Sequence, residues 1–177
     1  MKTESTIKLG FAVMLLLIGS TWVGQSFATD LDSVVSVIDS KYTQLCHINA
    51  EELSREEGLL IFDVREDDEF RVSHLQNARQ WKGLQDALRD IGQSKPRMVV
   101  LYCSVGERSS KAALQLKEAS ASLAVANLRG GIFRWAIEHR PMVNALGELV
   151  SVVHPYDAIW GRLLPKPLRG ESKRLRP

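Results

Sequence analysis

Cysteine is scarce in this chain. It has only Cys46 and Cys103, too few for a disulfide-built scaffold. The two do not read as a bonded pair either, because Cys46 falls inside an early strand and Cys103 ends a different one. Cys46 is therefore expected to be buried and inert. The four histidines, His47, His74, His139 and His154, show no ligand spacing, and a zinc site needs several clustered donors, so no metal is expected. Internal repeats and low-complexity tracts are lacking. A formal net charge of +2 leaves no large field of one sign over the whole chain. Basic residues do gather at the end, with Arg162, Lys166, Arg169, Lys173, Arg174 and Arg176 set against Glu171. So short and proline-broken a run reads as a solvated terminus, and no nucleic-acid partner is expected. The longest apolar run, Leu9 to Val23, falls short of the ~20 residues that span a bilayer comfortably.

That run has Lys2 and Lys8 before it and Ser26-Phe27-Ala28 after it, with small residues where a signal peptidase reads. Residues 1–28 are read as a secretory signal and the protein as exported, to the periplasm; left uncleaved, the run would instead anchor it to a membrane. The rest of the chain is long enough for one domain with a proper core and too short for two. The expected organisation is a helical lead-in over 29–44, a domain over 45–145, and an extension over 146–177 that ends in the basic tail.

Hydrophobic periodicity gives alternating elements. Asp30–Tyr42 reads as a helix with Val34, Val35 and Ile38 on one face and Asp30 or Asp32 as its cap. Gln44–Ile48 is a short strand, and Asn49 with Glu52 forms a capping box for the next helix. Leu59–Val64 is a strand, Arg65–Val72 a charged turn or short helix, and Ala78–Trp81 a brief strand. Leu84, Leu88 and Ile91 form a helical stripe that stops at Gly92. Met98–Tyr102 is a continuous apolar strand, as in the buried centre of a parallel sheet. A helix to about Ala119, a strand over Leu123–Leu128 and a helix over Ile132–His139 complete the pattern, with Pro141 halting the last. The alternation predicts an α/β fold with a parallel sheet of about five strands and helices on both faces, a three-layer sandwich. Trp81, Trp135 and Trp160 are read as core or edge packing.

The chemistry concentrates after the central strand, in Cys103-Ser104-Val105-Gly106-Glu107-Arg108-Ser109. Strand, short loop and helix bring backbone N–H groups and the positive end of a helix to one point, a field that favours a thiolate at Cys103. Gly106 lets the loop turn, and Arg108 adds a permanent charge with a planar fork of donors. In an open α/β sheet, ligands bind beyond the carboxyl ends of central strands, which is where Cys103 falls. By itself the pattern also fits a buried cysteine that merely ends a core strand.

Four segments in order resemble the rhodanese family: Leu59-Leu60-Ile61-Phe62-Asp63-Val64-Arg65, then Glu69-Phe70 with Ser73-His74-Leu75-Gln76-Asn77-Ala78, then the Cys103–Ser109 loop, then Gly130-Gly131-Ile132-Phe133-Arg134-Trp135. The resemblance covers roughly residues 45–145 and implies a single rhodanese-like domain. It implies that Cys103 attacks the sulfane sulfur of a donor such as thiosulfate or a persulfide. The resulting Cys103 persulfide then passes its sulfur to a thiol or cyanide, with no cofactor. Arg108 would act beside Cys103, and Ser104, Val105, Gly106, Glu107 and Ser109 would bind the substrate. Arg65 reads equally as a substrate contact or an ion-pair partner; Asp63 and His74 read as structural residues near the loop. Family phosphatases and arsenate reductases carry Cys-x5-Arg, whereas four residues separate Cys103 from Arg108, which favours a single sulfur atom over a tetrahedral oxyanion. Two departures stand out. Glu107 brings a negative charge that should weaken a dianion by about 1 kcal/mol, and Ser73–Asn77 lacks the family's glycine and proline. A non-turnover sulfur carrier or protein-binding module, serving a redox or sulfur-relay partner protein, is the alternative to an enzyme.

Overall fold

The structure, a computed structural model, describes residues 22–171, with side chains from residue 30 onward. Helix α1 (Trp22–Lys41) opens the fold. Leu31, Val35 and Ile38, followed by Tyr42, recur every three or four residues and are buried as one stripe. The helix begins well before Asp30 and crosses the expected boundary at residue 28, because no proline interrupts Trp22–Thr29. Asp30 and Asp32 are consequently interior rather than capping residues, and Asp32 instead pairs with Arg134.

Strand β1 (Cys46–Ile48) leads to α2 (Ala50–Arg55), capped as its sequence predicts: Asn49 Oδ1 accepts the Glu52 N–H at 2.9 Å and Glu52 Oε2 accepts the Asn49 N–H at 2.7 Å. Then come β2 (Leu59–Asp63), α3 (Asp67–Val72), β3 (His74–Leu75), β4 (Arg79–Gln80) and α4 (Leu84–Ser94). Helix α4 runs past Gly92 and ends on Lys95, whose N–H is donated to Ile91 O at 2.8 Å. The remaining elements are β5 (Met98–Tyr102), α5 (Glu107–Ala119), β6 (Val125–Leu128), α6 (Gly131–Ile137), β7 (Met142–Val143) and β8 (Leu149–Val150), then 3₁₀ turns at Trp160–Leu163 and Lys166–Leu168.

The main sheet is five-stranded and parallel in the order β1-β6-β5-β2-β4, with helices on both faces. Strand β5 lies at its middle, and Val99, Val100, Leu101 and Tyr102 are inaccessible to solvent, as a strand covered on both faces requires. A second, antiparallel sheet, β3-β7-β8, was not foreseen: its two-residue strands carry too little alternation to read. Cys46 contradicts its expectation. It is exposed, because β1 is an edge strand whose first residue faces outward.

Candidate active site

The Cys103–Ser109 loop leaves the carboxyl end of β5 and turns directly into α5. Cys103 is buried to 1 % exposure, and its Sγ accepts the Gly106 N–H at 3.2 Å. Gly106 makes that turn at φ 115°, a region closed to residues with a Cβ. The first N–H groups of α5 have no partner within the helix and carry its positive dipole end toward the loop.

Two further elements clamp the loop. From one side, α6 presents its amino end: the Ile132 N–H is donated to Cys103 O at 2.9 Å and the Phe133 N–H to Ser104 O at 3.0 Å. Gly131 makes this approach possible. It sits at φ 53°, and a Cβ there would lie 2.3 Å from Cys103 O and 2.7 Å from Ser104 O. From the other side, the Ser109 hydroxyl is donated to Asn127 Oδ1 at 2.7 Å, while Ser110 Oγ and the Ser110 N–H both reach Gly106 O, at 2.8 and 3.0 Å. Ser109 is fully buried and directed at β6. Its hydroxyl, expected among the substrate-binding groups, anchors the loop to Asn127 in this structure.

Arg108 is held by a residue that the sequence shows in a motif but to which it assigns no role. Glu69, on α3 and inaccessible to solvent, accepts Arg108 Nη1 and Nη2 on its two oxygens, both at 2.8 Å. Its Oε1 also accepts the Ser104 hydroxyl at 3.2 Å, and Arg108 Nη2 reaches Ser104 Oγ at 3.0 Å. Burial alone would raise the Glu69 carboxyl, but the paired Arg108 guanidinium outweighs it and holds the group below its ordinary range. The same pairing keeps Arg108 protonated despite its partial burial. Glu69 thus ties the loop to α3 through both Ser104 and Arg108.

Arg65 takes the ion-pair arm of its two readings. Its side chain is wholly buried, its Nη2 lies 2.6 Å from Asp63 Oδ2, and it also donates to Ser73 O at 2.5 Å. Asp63 Oδ1 additionally accepts the Arg65 N–H at 3.0 Å. A desolvated guanidinium needs a paired anion, and Asp63 supplies it two residues away, so Arg65 braces the end of β2 and is not among the described residues that line the Cys103 pocket. His74 stacks on Phe70, with ring centroids 3.8 Å apart and planes within 9°, and its Nδ1 lies 3.0 Å from Phe70 O. That packs it on α3 at Phe70, the residue after Glu69.

Glu107 begins α5, and its carboxylate is turned to Lys41 Nζ at 2.7 Å and to the Tyr42 hydroxyl at 3.0 Å, with Lys111 at 3.5 Å. Those bonds outweigh its partial burial and hold it below the usual carboxylate range. Its charge is therefore compensated locally, which reduces the repulsion expected for a dianion.

Cys103 opens into a pocket of about 170 Å³ lined by Ser104, Val105, Glu107, Arg108, Tyr156 and Trp160. This is room for a compound of a few heavy atoms rather than a drug-sized ligand. Tyr156 and Trp160 come from the extension after β8; nothing in their local sequence marks them, since only the folded chain brings them to the loop. Trp81 and Trp135 do pack as expected, Trp81 edge-on to Phe62 and Trp135 buried with its indole N–H donated to Pro141 O. Among the described residues, no cluster of histidine, cysteine, aspartate and glutamate has the arrangement of a metal site.

Comparison with known proteins agrees with this geometry. Residues 49–138 match the rhodanese-like domain family. Thiosulfate sulfurtransferase GlpE of Coxiella burnetii is 32% identical over 100 residues, covering 55% of this chain and 91% of that protein. The Synechocystis protein slr1261 is 26% identical over 114 residues, which span 64% of this chain and 63% of that one. The crystal structure of thiosulfate sulfurtransferase from Pseudomonas aeruginosa superposes with a TM-score of 0.53 at 20% identity, over 67% of this chain and 23% of that chain, a likeness of fold. By its matched sequence, its parallel sheet and its cysteine loop, the chain belongs to the rhodanese-like domain family, whose sulfurtransferase members it resembles.

Proposed function

We propose that this protein is a sulfurtransferase that carries a sulfane sulfur as a persulfide on Cys103. One observation above all supports this reading: Cys103 lines a small pocket, and its Sγ is hydrogen-bonded to a backbone N–H at the amino end of α5. With thiosulfate, the Cys103 thiolate attacks the outer sulfur, the S–S bond of the donor breaks, and its electron pair leaves on sulfite. Charge and sulfur are then held as Cys103–S–S⁻, which the Gly106 N–H and the helix dipole stabilise as fixed, preorganised dipoles. Attack by cyanide or a thiol on the terminal sulfur returns Cys103 as a thiolate. The sulfur is carried covalently, so the cycle calls for no cofactor. Arg108 contributes by fixing Ser104 and the loop through Glu69, and by its field at Cys103.

Thiocyanate production from cyanide tests the reading, with thiosulfate and a low-molecular-weight persulfide as donors. Turnover that disappears in Cys103→Ser supports it. A Cys103 that accepts sulfur from a partner protein but gives no turnover with either donor would instead favour a carrier module.

We further propose that residues 1–28 direct export, to the periplasm. The described residues contain no helix long and apolar enough to cross a membrane, and residues 1–21 lie outside them. Mass measurement of the protein recovered from cell fractions tests this: a chain beginning at Thr29 outside the cytoplasm supports cleavage, and a full-length cytoplasmic chain overturns it.

A further inference from the structure

The segment after β8 lies beyond the matched region and adds no strand to the five-stranded sheet, yet it builds one wall of the Cys103 pocket. It is a folded structure in its own right. The Val153 N–H is donated to Leu168 O and the Gly170 N–H to Val153 O, both at 2.8 Å, closing residues 153–170 into a loop. Arg169 caps Leu164 O from Nε and Nη2 at 2.9 and 2.7 Å, and Leu164 is fully buried. At the tip, Tyr156 takes a left-handed φ of 67° and donates its N–H to His154 Nδ1 at 3.0 Å. Asp157 Oδ1 accepts the N–H groups of Ile159 and Trp160, each at 2.8 Å.

Those bonds aim two rings. Tyr156 covers the Arg108 guanidinium, 4.9 Å from its ring centroid. Trp160 lines the Cys103 pocket and also an adjoining groove formed by Ser33, Val34, Val37 and Ile38 of α1; Glu107 is the other residue the two share. Val37 and Ile159 beside it are largely exposed. From Cys103 outward the path is therefore aromatic and aliphatic. Its electrostatics offer a dianion little. Among the described lining residues, the cation, Arg108, is already bonded at two points to Glu69, and the carboxylate, Glu107, is already bonded to Lys41 and Tyr42. An apolar group on the donor would gain burial against both rings, whereas a second negative charge would find no uncompensated partner among the described lining residues.

We propose that Tyr156 and Trp160 are specificity-determining residues that select a sulfane-sulfur donor bearing an apolar organic group, an organic persulfide or thiosulfonate, over thiosulfate. This rests on the sulfurtransferase reading above. With an organic persulfide, the Cys103 thiolate attacks the terminal sulfur of R–S–SH, the donor S–S bond breaks with its electron pair leaving on R–S⁻, and the proton stays on the new Cys103–S–SH. With a thiosulfonate, the pair leaves on the sulfinate R–SO₂⁻ and Cys103–S–S⁻ remains. R lies on Tyr156 and Trp160 throughout.

The test uses the full chain, cyanide as acceptor, and benzenethiosulfonate, methanethiosulfonate and thiosulfate as donors, with thiocyanate as the readout for wild type, Tyr156→Ala and Trp160→Ala. In wild type, kcat/KM for the phenyl donor exceeds that for the methyl donor by about tenfold or more, the range in which an apolar pocket discriminates. Thiosulfate is used less well than the phenyl donor. In each variant the phenyl-to-methyl ratio falls to within about threefold, and the loss appears in KM for the phenyl donor, as removal of uniform binding requires. Thermal melts establish which variants are folded; Tyr156, half-buried on a loop, decides the matter should Trp160→Ala unfold. Thiocyanate formed without discrimination between donors, or a ratio that the folded variants leave intact, overturns this proposal alone. No thiocyanate from any of the three donors overturns the sulfurtransferase reading and this proposal with it.

Discussion

Severing the Glu69–Arg108 pair from each side should cost different amounts, because the two partners are buried unequally. The Glu69 side chain is inaccessible, whereas that of Arg108 is 29% exposed. Arg108→Met leaves a buried carboxylate without its cation, a defect that costs about 3–5 kcal/mol. Glu69→Gln leaves a guanidinium that water can still reach, and should cost about 1–3 kcal/mol. For a domain of this size those figures correspond to drops in Tm of about 6–20 °C and about 2–12 °C. The double variant should be less damaged than the sum of the two, by a coupling of about 2 kcal/mol. The pH dependence has a definite sign. Glu69 is held below its ordinary value of 4.5 in the folded protein, so its contribution is present above that value and is lost as pH falls through the lower folded one. The gap between wild type and Glu69→Gln should therefore narrow as the solution is acidified below that ordinary value, and the gap to Arg108→Met should begin to narrow at higher pH, because burial without the guanidinium raises its Glu69 carboxyl. Because Glu69 also accepts the Ser104 hydroxyl, Glu69→Gln should reduce kcat/KM by about tenfold or more through a looser loop. Denaturant titrations of the four proteins at several pH values, with kinetics at neutral pH, measure all of this. Equal losses from the two single variants, or additive losses in the double variant, would refute the assignment of this pair as the brace of the loop.

Gly131→Ala should destabilise the protein by about 3 kcal/mol or more and abolish turnover, since its methyl would press on the Cys103 and Ser104 carbonyls; a folded, active variant by calorimetry and assay would contradict the clamp. Glu107→Gln should raise kcat/KM for thiosulfate by only about two- to fivefold, because Lys41 and Tyr42 already engage that carboxylate, and the gain should fade in high salt. A tenfold gain in the same assay would mean that Glu107 acts on the donor as an unpaired charge. Cys46→Ser, at an exposed edge position, should keep turnover within about twofold; a tenfold loss would give Cys46 a part in sulfur transfer.

How much could be read in advance depends on the range of the interactions concerned. Strand β5 and the loop after it were legible because a continuous apolar run, a cysteine and a helix start are adjacent in sequence. The Asn49–Glu52 cap was legible for the same reason. Arg65 was ambiguous because sequence gives no burial, and burial is what commits its guanidinium to Asp63. Cys46 was misread because an edge strand leaves one face to solvent, and strand order is a property of the whole sheet. Glu69 was visible as part of a motif, but its bond to Arg108 joins residues far apart in the chain. Tyr156 and Trp160 lie in a segment with no periodicity, and only long-range folding carries them to Cys103.

Whether Cys103 carries the sulfur is decided by the intact mass of the protein after treatment with a donor. The expected result is a gain of one sulfur, about 32 Da, that cyanide removes and that Cys103→Ser never acquires. An unchanged mass with thiosulfate and with organic donors alike, or an adduct that persists in Cys103→Ser, would contradict it.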